Sequence, residues 1–211
     1  MKITAREKIR KAALKIFSQK GYDAATTREI AIQAGVKHGL ISYYFDSKKE
    51  LFSDVIGEIL NAGLESLIVD IEKCNDLLHK TQKEKIEILT SLLNRYIDFI
   101  YSENVPRELI VLMIREQLVK GSVYSNVYKP TISIFYDTTM RLVASISQKK
   151  VDDNIVIFEV MGIIGRILSF KIVQSSAIKR RPDESFNKEE NELIKNFLKK
   201  QIAVTLQNFA K

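Results

Sequence analysis

The sequence predicts an all-α protein. A short basic module of three helices comes first, and a connector helix then leads into a body of long amphipathic helices. Three observations predict it. Apolar residues recur at helical spacing almost throughout, while strand-like alternation is scarce. Five Ser, Thr or Asn residues precede a glutamate by three positions, the pattern of a capping box: Thr4/Glu7, Thr26/Glu29, Ser47/Glu50, Thr81/Glu84 and Asn187/Glu190. The chain has only 3 prolines in 211 residues, and they fall between the helical segments.

The first helix reads from Thr4 to Lys20, with Ile9, Ala13, Ile16 and Phe17 as its apolar stripe. Arg6, Arg10, Lys11 and Lys15 lie off that stripe, and Gly21 is a natural stop. A second short helix runs from Thr27 to Ala34, with Ile30, Ala31 and Ala34 inward. Gly35 makes a turn, and a third helix spans Lys37 to Phe45. Ser47 caps a longer fourth helix that begins Lys48-Lys49-Glu50-Leu51-Phe52 and passes Ile71. Five more are expected near 83–102, 107–119, 127–148, 153–176 and 188–209. Pro106 and Pro130 stand at helix starts, where a missing N–H costs little. Lys179 to Asp183 reads as a polar loop. The expected division is 1–47 for the three-helix module and 48–211 for the helical body.

Composition narrows the class. With 45% hydrophobic and 28% charged residues, the chain can bury a sizeable core and is neither disordered nor collagen-like. Its longest uncharged run, Gln201 to Ala210, is about half of a membrane-spanning helix, so no membrane partner is expected. Lys15 and Lys20 interrupt any apolar run near the amino end, so no signal peptide is read. The single cysteine, Cys74, cannot form an internal disulfide, which fits a cytoplasmic location. Residues 1–50 carry 11 Lys and Arg against 5 Asp and Glu, whereas residues 51–211 carry 22 against 21. The positive excess is therefore concentrated in the first quarter. It suits a polyanion-binding module, and a solvated basic face is the alternative.

A helix, a tight glycine turn and a short helix make a helix-turn-helix. Ala31 is small where the two helices cross, Gly35 supplies a left-handed turn, and Val36 and Ile41 fill the space behind. The exposed face of the third helix then carries Lys37, His38, Gly39, Leu40, Ser42 and Tyr43. Such a face can enter a major groove, where base edges differ in their hydrogen-bonding pattern.

The blocks Thr26-Thr27-Arg28-Glu29-Ile30-Ala31, Ala34-Gly35-Val36 and Leu40-Ile41-Ser42-Tyr43-Tyr44-Phe45-Asp46-Ser47-Lys48-Lys49-Glu50-Leu51-Phe52 resemble the DNA-binding domain of the tetracycline-repressor family. The likeness covers about residues 6–55. The segment Leu112 to Leu118, with the pattern around residue 165, resembles the subgroup of cephalosporin-and-chloramphenicol-related regulators. The resemblance implies a homodimeric transcription factor, usually a repressor, that binds a palindromic double-stranded DNA operator and answers to a small-molecule effector. It implies phosphate contacts from Thr26, Thr27, Tyr44 and Lys48, with Arg28 beside them, base contacts from positions 37 to 43, and a core role for Phe45. The third helix departs from the family's habit, because Lys37 cannot cap it and Leu40 offers a thymine methyl an apolar contact. The rival expectation is a helical ligand-binding or scaffolding dimer whose helix-turn-helix no longer binds DNA.

Single residues keep two readings. His38 serves a base, a phosphate or only the surface, and Tyr43 and Tyr44 serve core or phosphate. His79 lacks a second ligand at metal spacing, Cys74 lacks a basic activator, and no catalytic constellation is present, so neither enzyme activity nor a cofactor is expected. For the effector the candidates are Tyr96, Phe99, Met113, Arg115, Tyr136 and Phe158, with Phe135, Met140, Met161 and Glu116 in the same regions. Aromatic and Met stripes of this kind also serve as plain core. Arg115 and Glu116 stand out because they follow the apolar run Leu109 to Ile114. The helices 153–176 and 188–209 are apolar on more than one side, and Gly162, Gly165 and Ser169 allow close approach, so they are expected to form the homodimer interface.

Overall fold

The computed structural model describes residues 4–119, 129–173 and 186–208. Its helices are α1 (Ala5–Lys20), α2 (Thr27–Ala34), α3 (Gly39–Tyr44), α4 (Lys48–Lys73), α5 (Gln82–Ile100), α6 (Arg107–Val119), α7 (Lys129–Ser147), α8 (Asn154–Ile172) and α9 (Lys188–Asn208), with a 3₁₀ turn over Cys74–Asp76. Among the described residues there is no strand, and no helix is long and apolar enough to cross a membrane. The expected polar loop at 179–183 lies outside the described residues.

Local chemistry sets most helix starts. Thr4, Thr26 and Thr81 each form a complete capping box, in which the hydroxyl accepts the N–H of the glutamate three residues on and that glutamate accepts the threonine N–H. Asn187 and Glu190 exchange the same pair of bonds at 2.9 Å each. Ser47 forms half of a box. Its Oγ accepts the Glu50 N–H at 3.1 Å, but the Glu50 carboxylate accepts instead from the Asp46 N–H at 2.6 Å. Asp153 caps α8 by accepting the Ile155 N–H at 2.8 Å. That cap is absent from the sequence expectation because no glutamate stands three residues beyond it.

The chain packs as two compact units. One comprises residues 1–62 with 106–131, and the other comprises 63–105 with 132–211. The first unit therefore takes in the beginning of α4 and all of α6 alongside the three-helix module. In it, Ile9, Ala13 and Phe17 of α1 are buried with Ile30 of α2, Ile41 of α3, Leu51, Phe52 and Ile56 of α4, and Leu109 and Leu112 of α6. The Phe17 and Phe52 rings meet edge to face at 4.9 Å, a favourable aromatic geometry. Asp54 of α4 pairs with Arg6 at 2.6 Å and Arg10 at 3.1 Å, tying α4 to α1.

In the second unit the buried side chains include Leu89, Leu92, Leu93 and Ile97 of α5, Leu142 and Val143 of α7, Val160, Ile163 and Ile167 of α8, and Leu198, Ile202 and Leu206 of α9. Two polar side chains inside it are bonded to backbone carbonyls. The Tyr101 hydroxyl donates to the Ile167 carbonyl, and the buried Lys171 ammonium donates to the Ile100 carbonyl, both at 2.7 Å. Asp98 receives Lys199 at 2.8 Å and Lys195 at 3.4 Å, joining α5 to α9.

Candidate nucleic-acid interface

The turn between α2 and α3 is built as its sequence requires. Gly35 adopts φ 65° and ψ 37°, the left-handed conformation that glycine reaches without strain, and the Val36 N–H returns to the Ala31 carbonyl at 3.1 Å. Helix α3 starts at Gly39, two residues later than the sequence suggests. Lys37 and His38 instead form tight i→i+3 turns, accepting from the Leu40 and Ile41 N–H groups at 2.9 and 3.0 Å, and no side chain caps the helix. Phe45 is core, as expected, and Ile41 anchors α3 from behind.

On the outer side Lys37, His38, Gly39, Ser42 and Tyr43 are exposed, with Leu40 and Tyr44 half-buried. Tyr43 is 78% exposed and its ring meets that of Tyr44 edge to face at 5.0 Å. The His38 ring Nε2 lies 3.0 Å from the Thr27 hydroxyl, so one side chain links the approach to α3 with the first turn of α2. Ile32 is also exposed on α2, a position that hydrophobic periodicity alone gives no reason to single out.

Two residues are placed differently from the family-based expectation. The Thr26 hydroxyl and N–H, expected on phosphate, are both taken by Glu29: the hydroxyl donates at 2.9 Å and the N–H at 3.1 Å. Helical bonding begins with Ile30 N–H on the Thr26 carbonyl at 3.1 Å. The N–H groups of Thr27 and Arg28 are thereby left as the helix-end donors that an anion can accept. Lys48, expected on phosphate, turns inward. Its ammonium donates to the carbonyls of Tyr22 at 2.8 Å, Ala25 at 3.0 Å and Asp23 at 3.2 Å, and sits 4.4 Å from the centre of the Tyr22 ring. Three carbonyls use all three of its protons.

The Glu29 charge at the start of α2 is settled by local bonds. Lys20 pairs with Glu29, and this bond, with those from Thr26, holds the Glu29 carboxyl below its usual value. Glu29 therefore stays ionised and keeps the cap closed.

The residues proposed for an effector are divided between the two units. Tyr96 and Tyr136 come near each other in the second unit, where Phe135 stacks on Tyr96 at 4.2 Å and meets Tyr136 edge-on at 6.1 Å. Burial raises the Tyr96 hydroxyl well above its ordinary value, so it stays protonated. Phe99 lies against Gly63, where an added β-carbon would come within 2.5 Å of its ring. Phe158 is 63% exposed on α8. Met113, Arg115 and Glu116 belong to the first unit. There Arg115 donates to the Gln19 carbonyl at 2.6 Å, and Glu116 accepts the Tyr22 N–H at 3.1 Å. The expected ligand role for Arg115 thus meets a side chain already bonded to the end of α1.

Comparison with known proteins agrees with this geometry. Residues 9–55 match the bacterial regulatory proteins of the tetR family. Residues 85–209, more than half of the chain, match the C-terminal domain of the HTH-type transcriptional dual regulator CecR. The chain belongs to the tetR family. The CecR protein of Shigella flexneri is 28% identical over 208 residues, covering 98% of this chain and 93% of that one. Staphylococcus aureus IcaR, a negative transcriptional regulator of a biofilm operon, is 27% identical over 104 residues, about half of each chain. A transcriptional regulator of Aquifex aeolicus shares the fold at 18% identity with a TM-score of 0.55, covering 97% of this chain and 98% of that one. As a tetR-family transcriptional regulator, the chain carries its DNA-binding helix-turn-helix in α2 and α3, and its relatives are regulators rather than enzymes.

Proposed function

We propose that this regulator binds a palindromic operator as a homodimer, acts most simply as a repressor, and is released by a small-molecule effector. The observation that carries the DNA reading is the joint exposure of Lys37, His38, Ser42 and Tyr43 beside the free Thr27 and Arg28 N–H groups, in the part of the chain that holds the positive excess. Residues 37 to 43 meet base edges, while Thr27, Arg28 and Tyr44 hold the phosphate backbone. Functionally, residues 1–47 serve DNA and residues 48–211 serve effector and dimerisation.

The effector site is proposed around Tyr96, Phe99 and Tyr136. Arg115 and Phe158 are left out of it, because Arg115 is bonded to Gln19 and Phe158 faces outward. The dimer is proposed through α8 and α9, whose outward faces carry Ile155, Phe158, Met161, Leu193, Phe197 and Val204. Effector and operator then compete through two conformations of the dimer, and the effector weakens DNA binding only by its preference for one of them.

The test is binding to the intergenic DNA upstream of the chain's own coding region, against a scrambled duplex, at two salt concentrations. Selective binding that weakens steeply with salt is expected. Equal, weak binding to both duplexes would favour the rival of a helical dimer with a degenerate helix-turn-helix.

A further inference from the structure

Helix α6 lies outside the conventional DNA-binding segment, yet its polar pair Arg115-Glu116 closes on the loop between α1 and α2. The Tyr22 peptide is held from both sides: its N–H donates to Glu116 Oε1 at 3.1 Å, and its carbonyl accepts from Lys48 Nζ at 2.8 Å. Lys48 also gathers the carbonyls of Asp23 and Ala25. Arg115 bonds the Gln19 carbonyl at 2.6 Å, and its Nε would stand only 3.0 Å from a β-carbon on residue 21, which is glycine. The loop held in this way runs straight into Thr26, the cap of α2.

We propose that Arg115 and Glu116 are positioning residues for DNA binding, which latch the Gly21–Ala25 loop and so fix the phosphate-facing start of α2. The inference rests on the reading that Thr27 and Arg28 face phosphate. Glu116 is only 5% exposed, and a buried carboxylate is tolerated where it is hydrogen-bonded. Removing it leaves the Tyr22 N–H without its acceptor, and the Tyr22 peptide loses one of its two fastenings.

The sign of the effect separates this role from simple electrostatics. A carboxylate in a basic module opposes a polyanion, so charge alone predicts that neutralising Glu116 tightens DNA binding. The latch predicts that Glu116→Ala weakens it. It also predicts that Glu116→Gln does not, because the amide oxygen still accepts the Tyr22 N–H.

The experiment uses the full chain and a fluorescent duplex from its own upstream intergenic DNA, with amide hydrogen exchange read at Tyr22 and circular dichroism as a check on folding. Expected for Glu116→Ala is about a tenfold rise in Kd, the scale of one lost hydrogen bond to a charged group, with the salt slope unchanged. Its Tyr22 amide should exchange faster. Glu116→Gln should stay within about threefold of the parent. The proposal is overturned if folded Glu116→Ala binds as tightly as the parent or tighter, if Glu116→Gln loses as much as alanine, or if Tyr22 exchange does not change. Should Glu116→Ala fail to fold, Arg115→Ala must weaken binding and speed loop exchange, or the proposal falls. A parent chain that binds no duplex would instead sink the functional reading, and exchange at Tyr22 would still report whether the latch exists.

Discussion

At position 21 the backbone adopts φ 82° and ψ 172°, a region open essentially to glycine alone, and a β-carbon there would press on Arg115. Gly21→Ala should therefore cost about 1–3 kcal/mol of stability, the range for a side chain forced into sparsely allowed backbone. Gly35 is the control. Its left-handed backbone meets no atom within 4 Å, so Gly35→Asn should cost far less, since asparagine tolerates that conformation. Urea denaturation at fixed protein concentration measures both. A second residue-scale prediction concerns pH. Glu29 is held below its usual 4.5 by bonds from Lys20 and Thr26, so the folded state releases that proton more readily than the unfolded chain. The stabilisation is present above the unfolded value and is lost as pH falls through the folded one. The stability gap between the parent and Glu29→Gln should thus close on acidification, and thermal melts across pH 3 to 7 check this. These residues differ in how far the sequence reveals them. The Thr26/Glu29 box is legible because both partners sit within one turn. The partners of Arg115 and Glu116 lie 96 and 94 positions away, so the pair is visible only as a polar break after an apolar run.

Helices were readable to the extent that their ends are set locally. The starts of α1, α2 and α5 follow complete capping boxes, and α6 begins beside Pro106 as the missing N–H allows. Helix α3 is shorter than its pattern because its entry is governed by backbone turns at Lys37 and His38, which no side-chain signal marks. Contacts between helices obey a different rule. The α5–α9 link through Asp98 needs the tertiary fold before its partners can be named. Its side chains are partly exposed, Asp98 at 46%, so solvent screens it. Asp98→Asn should cost no more than about 1 kcal/mol, and less at 1 M salt. Lys195 is held above its usual value by Glu192 first, then by Asp98. The part of the stability that depends on its charge is present below the unfolded value of 10.5 and fades as pH rises above it. Chemical denaturation at two salt concentrations reads the Asp98 effect directly.

At the scale of the whole molecule, the sequence shows that α8 and α9 are too apolar for one buried face each, but not which residues remain outside. The structure separates them. On α8, Val156, Val160, Ile163 and Ile167 are buried, while Ile155, Phe158 and Met161 face out with the exposed Gly162 and Gly165. On α9, Leu198, Ile202 and Leu206 are buried, while Leu193, Phe197 and Val204 are not. The outward residues recur at helical spacing on each helix, which makes a stripe rather than scattered exposure, and the proposed dimer contact rests on these two exposed apolar stripes. Two copies paired through these stripes would bury them by two-fold symmetry, each helix meeting its own counterpart or the other's neighbour. A charge placed in the middle of such a face cannot be solvated once the face closes. Phe158→Asp should therefore leave the helical content intact, shift sedimentation from dimer to monomer, and weaken operator binding sharply, because one chain then holds only one half-site. Val151→Asp, at an exposed position in the turn before α8, should change none of these. A Phe158→Asp protein that still sediments as a dimer and binds the operator as the parent does would place the dimer contact elsewhere on the chain.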